Sequence, residues 1–102
     1  MDSEIIHDRD GCEFYCLTEG FKSFLSYLDN DPAFLDIYHT FVPPELRNRG
    51  LAQKLMEAVV GYALETGKKI ITTCSYAEAF FAKHQELKVL LYNNRNNNDK
   101  ER

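Results

Sequence analysis

Val42-Pro43-Pro44-Glu45-Leu46-Arg47-Asn48-Arg49-Gly50-Leu51-Ala52 is the stretch on which the fold turns. It separates the most strand-like run of the chain, Ala33–Val42, from its best helix, Gly50–Thr66. In the first run Leu35, Ile37, His39 and Phe41 alternate with Phe34, Asp36, Tyr38, Thr40 and Val42. That period of two predicts a strand with each set on its own face. Pro43 and Pro44 end it, because neither can donate a ladder hydrogen bond. In the second run Leu51, Leu55, Val59 and Tyr62, flanked by Ala52, Met56 and Ala63, recur at helical spacing, with Gln53, Lys54, Glu57 and Glu65 opposite. Gly67 is placed to cap that helix, and the β-branched run Lys69–Cys74 follows. Strand, helix and strand in this order predict a crossover between two parallel neighbours.

Outward from this unit the signals weaken. Cys12–Leu17 is β-prone, Gly20 marks a turn, and Lys22–Leu28 alternates again up to the turn Asp29-Asn30-Asp31-Pro32. These pieces predict an antiparallel meander leading into Ala33–Val42. After Cys74, Ser75 and Glu78 have the spacing of a capping box at the start of a second helix, with Phe80 and Phe81 as its apolar contacts. Leu87–Tyr92 reads as an extended segment or a last helical turn. Asn93–Arg102 has no apolar residue and is expected to be disordered. The fold class is α/β: a three-stranded antiparallel meander, a parallel fourth strand joined by the long helix, and a second helix. Residues 1–92 form one domain.

Bulk composition narrows the function. The 102 residues suffice for one domain and not for two. A net charge of −4 provides no general basic field for nucleic acid, so that partner is not expected. There is no apolar run of bilayer-spanning length and no signal-like start, so a cytoplasmic protein without a membrane partner is expected. Three cysteines without framework spacing agree with a reducing compartment. Cys12 and Cys16 read as half-buried apolar residues, and no metal site is expected.

The Arg47–Ala52 turn carries the strongest chemical signal. Successive N–H groups at a helix start, reinforced by the helix dipole, suit a pyrophosphate. Gly50 allows close backbone approach, Ala52 leaves room, and Arg47 and Arg49 add positive charge. The same residues also read as a plain strand–helix connection with two solvated arginines. A Walker-type phosphate loop is excluded, because no Gly-x4-Gly-Lys-Ser/Thr string occurs.

Arg47-x-x-Gly50-x-Ala52, after a strand and opening an amphipathic helix, resembles the Arg/Gln-x-x-Gly-x-Gly/Ala motif of the GNAT acetyltransferases. His39-Thr40-x-Val42-Pro43, Cys74-x-Tyr76 and Lys83-His84 extend the likeness to the short, minimal GNAT-like proteins of the YjdJ type, from Cys12 to about Leu91. Asn48 stands where that family usually has Gly, and Asn tolerates a left-handed backbone better than most residues. The resemblance implies acetyl-CoA as cofactor, with its pyrophosphate on Arg47, Asn48, Arg49, Gly50, Leu51 and Ala52. It implies pantetheine beside the splayed strand end at Phe41 and Val42, with Lys83 and His84 near the cofactor phosphates. The implied activity is acetyl transfer to an amine whose identity is open. Two rivals stay beside it: a non-catalytic acyl-CoA binder, and an interaction module that uses the turn for another anion.

Three residues are catalytic candidates under that resemblance. Cys74 reads either as an acetyl-accepting thiol, activated at a helix start, or as a buried apolar cysteine sharing a face with Ile70 and Thr72. His39 reads as a general base or as a core-edge histidine on the face of Ile37 and Phe41. Tyr76 reads as a proton donor to the departing CoA thiolate or as a packing aromatic. His7 falls in a polar stretch and reads as inert.

Overall fold

The computed structural model describes residues 4–92, and the polar segment 93–102 lies outside the described residues. Strands β1 (Ile6–Asp8), β2 (Glu13–Thr18), β3 (Phe21–Leu28) and β4 (Phe34–Phe41) precede helix α1 (Leu51–Thr66), strand β5 (Lys69–Thr72) and helix α2 (Ser75–Lys83). The sheet order is β1-β2-β3-β4-β5. The first four strands pair antiparallel, and β5 runs parallel to β4. This is the expected α/β architecture with one strand added at the antiparallel edge. Three residues are too few for alternation to show, which is why β1 was not legible. A 3-10 turn over Gln85–Leu90 follows α2, and Leu91 then bridges to Ile70, so the Leu87–Tyr92 segment is partly helical and partly extended.

The two helices lie on one face of the sheet. Leu55, Met56, Val59, Val60 and Ala63 of α1 and Ala77, Phe80 and Phe81 of α2 are buried against Phe14, Leu25, Tyr27, Leu35, Ile37 and Ile70. Alternate residues of β2 and β3 supply this face, and the same alternation leaves Tyr15, Phe24 and Ser26 half-buried on the other. A smaller cluster of Cys16, Leu46 and Leu51 joins the far end of the sheet to the start of α1. It anchors the helix terminus on which the site is built.

Two sequence expectations are corrected here. Ser26 pairs with His39 while Tyr27 pairs with Ile37, so Tyr38 is the extra residue of a β-bulge in β4. The bulge reverses the facing of everything after it. Leu35 and Ile37 are buried against the helices, whereas His39 and Phe41 turn to the uncovered face and contact the Phe24 ring, at 5.4 and 5.8 Å between centroids. His39 therefore does not share a face with Ile37. The capping box also fails to form: the cap position of α2 is Cys74, one residue earlier than Ser75, and no side chain caps it. Thr72 holds this junction instead. Its Oγ1 accepts from the Cys74 N–H at 3.1 Å and lies 3.2 Å from the Cys74 carbonyl, to which its hydroxyl donates.

His7 has a structural part that its polar neighbourhood did not announce. From β1 it stacks on Phe14 with centroids 4.0 Å apart, meets the edge of Tyr62 at 4.5 Å and lies 2.6 Å from the Tyr27 hydroxyl. Burial, more than any neighbouring charge, raises the Tyr27 phenol above its ordinary value, and phenol and imidazole share this one hydrogen bond. Desolvation chiefly, and then Arg9, lower the His7 pKa from 6.5, partly opposed by Asp8 and Glu65. A lowered base leaves the unfolded chain with more bound protons, so this contribution to stability is present above 6.5 and lost as pH falls through the folded value. We expect the urea midpoint to fall between about pH 7.5 and 5, and His7→Phe to flatten that limb of the profile. Parallel profiles for the two proteins would remove His7 from the effect.

Candidate functional site

The bulge also opens the sheet. Pairing of β4 with β5 runs from Phe34↔Lys69 to Ile37↔Thr72, with one further bond from the Thr73 N–H to the Ile37 carbonyl, and then stops. Beyond Ile37, β4 continues to Phe41 while the chain after β5 turns into α2. The two diverge into a wedge. At its inner end the Cys74 Sγ lies 3.5 Å from the Thr40 Oγ1.

A cavity of about 350 Å³ occupies the wedge, lined by Thr40, Phe41, Val42, Arg47, Asn48, Ala52 and Tyr76. A neighbouring one of about 250 Å³ shares much of that wall and runs under Gly50, Leu51 and Gln53 at the head of α1. The helix start is open to an anion. Gly50 is its cap residue at φ 79°, no side chain caps it, and its first turn holds no acidic residue. The first intrahelical bond runs from Lys54 N–H to the Gly50 carbonyl. The N–H groups before it therefore have no partner within the helix.

Around that terminus the backbone is shaped for close approach. Asn48 at φ 68° and Gly50 at φ 79° are both left-handed, with nothing within 4 Å of the position a Gly50 Cβ would take. Arg47 donates from Nε to the Val42 carbonyl at 2.9 Å, which fixes its guanidinium on the rim of the wedge. Arg49 is drawn away to Glu19, Nη1 to Oε2 2.8 Å. These features fit the diphosphate of a nucleotide cofactor: uncapped donors, one fixed cation and a small-residue floor at Ala52.

The remaining candidates divide. Tyr76 lines both cavities, and desolvation, then the Glu57 carboxylate, raise its phenol above the ordinary value, so it stays protonated at neutral pH. Cys74 is nearly buried but borders the wedge through Thr40. His39 is on the opposite face and is not brought to Cys74. Lys83 and His84 stand at the far end of α2 from Tyr76, roughly 10 Å along its axis at 1.5 Å per residue. The His84 Nδ1 is 2.8 Å from the Phe80 carbonyl and its ring stacks on Phe80. Neither residue lines the wedge. Thr40 enters the sequence reading only as part of the His39-Thr40-x-Val42-Pro43 likeness, without a role of its own, and the reversal of facing at Tyr38 is what turns it inward.

Comparison with known proteins bears on the family and the fold. Residues 13–90 match the model of the GCN5-related N-acetyltransferase family. Protein NATD1 of Gallus gallus is 29% identical over 79 residues, covering 76% of this chain and 72% of its own. The NMR solution structure of a GCN5-like protein from Staphylococcus aureus superposes with a TM-score of 0.70 at 30% identity, covering 87% of each chain.

Proposed function

The chain belongs to the GCN5-related N-acetyltransferase family, and from that premise we propose that it binds acetyl-CoA in the wedge and transfers the acetyl group to an amine. The observation that carries this reading is the uncapped, acid-free start of α1 opening on a cavity between diverging strands. The pyrophosphate would rest on the N–H groups of residues 50–52 beside Arg47. The pantetheine arm would lie along the β4 edge past Ile37, where the ladder to β5 has ended. When bound, the cofactor supplies an activated acyl group as a thioester. The protein supplies position and polarity: backbone N–H groups of that free β4 edge for the oxyanion, and the Tyr76 hydroxyl as proton donor to the departing thiolate. Cys74, in contact with Thr40, stands where a thiol could take the acetyl group first. His39, Lys83 and His84 have no place in this arrangement.

Native mass spectrometry of the protein with CoA, followed by acetyl-CoA turnover against a panel of primary amines, tests the reading. A one-to-one CoA complex and an acetylated amine are expected. Binding without acetylation of any amine would favour a non-catalytic acyl-CoA binder, and no CoA complex would end the assignment.

A further inference from the structure

Arg49 sits in sequence between two residues that line the cavities, Asn48 and Gly50, yet its own side chain does not line either of them. It is held on Glu19, at 2.8 Å, across 30 residues of sequence. Glu19 is an unusual choice for its position. It and Gly20 form the two-residue connection between β2 and β3, with φ of 53° and 82°. Two left-handed residues in such a hairpin favour Asn-Gly or Gly-Gly, and a long side chain at the first is disfavoured. A disfavoured backbone conformation at a non-glycine residue is a reason to ask what its side chain does.

Stability does not explain the pair. Both side chains are largely exposed, at 44% and 60%, and such ion pairs contribute little to folding. Its charge effect is larger: the pair places a carboxylate against one of the two arginines beside the anion site, and the Arg49 hydrogen bond first and its charge second lower the Glu19 pKa below its ordinary value. Arg47 is bonded to the Val42 carbonyl, so Arg49, whose partner is an exposed carboxylate, is the cation there that an anion could take over by exchange. A guanidinium pairs with phosphate in the same forked geometry it uses for carboxylate, and a phosphate monoester carries more charge than Glu19.

We propose that Glu19 is a selectivity residue for the anionic end of the ligand, parking Arg49 outside the cavity until a phosphate monoester displaces the carboxylate. The proposal rests on the reading of the turn as a CoA site. A ligand with the diphosphate alone is served by the helix terminus and Arg47, and leaves the Glu19–Arg49 pair intact. CoA, with its additional 3′-phosphate, breaks it. Glu19 thereby sets how strongly the protein distinguishes CoA from dephospho-CoA.

Calorimetric titration of CoA and dephospho-CoA into the full chain and into Glu19→Gln, Arg49→Ala and the double variant tests this. Glutamine keeps the size and the backbone demand of Glu19 and removes its charge. Glu19→Gln should bind CoA about two- to fivefold more tightly, the range set by losing one exposed ion pair, with dephospho-CoA unchanged. The gain should vanish in the Arg49→Ala background. Unchanged or weaker CoA binding by Glu19→Gln would overturn the proposal and make the pair a brace for the turn. An equal gain for both ligands would also overturn it, by assigning the effect to general repulsion. If the unaltered chain binds neither ligand, the CoA reading falls and this selectivity falls with it. CoA binding by the unaltered chain without the Glu19→Gln gain would sink the selectivity alone.

Discussion

Replacing Gly50 with valine is expected to weaken CoA binding by at least about tenfold, the largest affinity loss of any single change at the site. Two effects add. At φ 79° a residue with a Cβ carries roughly 1–2 kcal/mol of strain, and a β-branched one more, so the turn tends to rearrange. The added side chain would also stand where the backbone must meet the diphosphate. Space within the protein is not the difficulty, since beyond the adjoining residues no atom lies within 4 Å of the new Cβ. Gly50→Asn separates the two effects, because Asn tolerates the left-handed region while still filling the approach. Circular dichroism and a thermal midpoint establish that each variant is folded before titration. A folded Gly50→Val protein with undiminished CoA affinity would falsify the placement of the diphosphate.

The second large effect is expected at Cys74. If the acetyl group passes through this thiol, incubation with acetyl-CoA should leave a hydroxylamine-sensitive adduct on the peptide containing Cys74. Cys74→Ala should then remove the adduct and lower amine acetylation by about a hundredfold or more, as loss of a covalent nucleophile does. CoA affinity should change by less than about threefold, because the phosphate turn lies elsewhere in the wedge. Simple alkylation is a poor guide to this chemistry. Cys12 is half-buried beside a surface turn, whereas Cys74 is only 9% exposed and Cys16 fully buried. Access alone therefore favours Cys12, and protection of Cys74 by CoA is the informative measurement. Undiminished turnover in Cys74→Ala would assign direct transfer from the thioester to the amine.

Much of this site was legible from one dimension because its parts are local. The Pro43-Pro44 stop, the Arg47-x-x-Gly50-x-Ala52 turn and the apolar spacing of Leu51 to Ala63 follow from backbone stereochemistry and helical periodicity. Gly67 caps α1 at φ 73° for the same local reason, its N–H reaching the Ala63 and Leu64 carbonyls. Alternation along β3 set Leu25 and Tyr27 apart from Phe24 and Ser26, but with apolar groups on both faces only the structure shows which set is buried.

What the sequence by itself determined, then, is the order of the elements from β2 onward, the parallel return after α1 and the place of the Arg47–Ala52 turn. Each depends on residues within a few positions of one another. Which face His39 and Thr40 occupy was decided only by the tertiary structure. Alternation along Ala33–Val42 predicts one unbroken strand, but β4 must satisfy β3 on one side and β5 on the other, and the extra residue Tyr38 reconciles them. The same holds for the Glu19–Arg49 pair and for His7 beside Tyr27. Contacts across 20 or 30 residues leave no periodic signature, because they form only when the sheet brings distant backbones within side-chain reach.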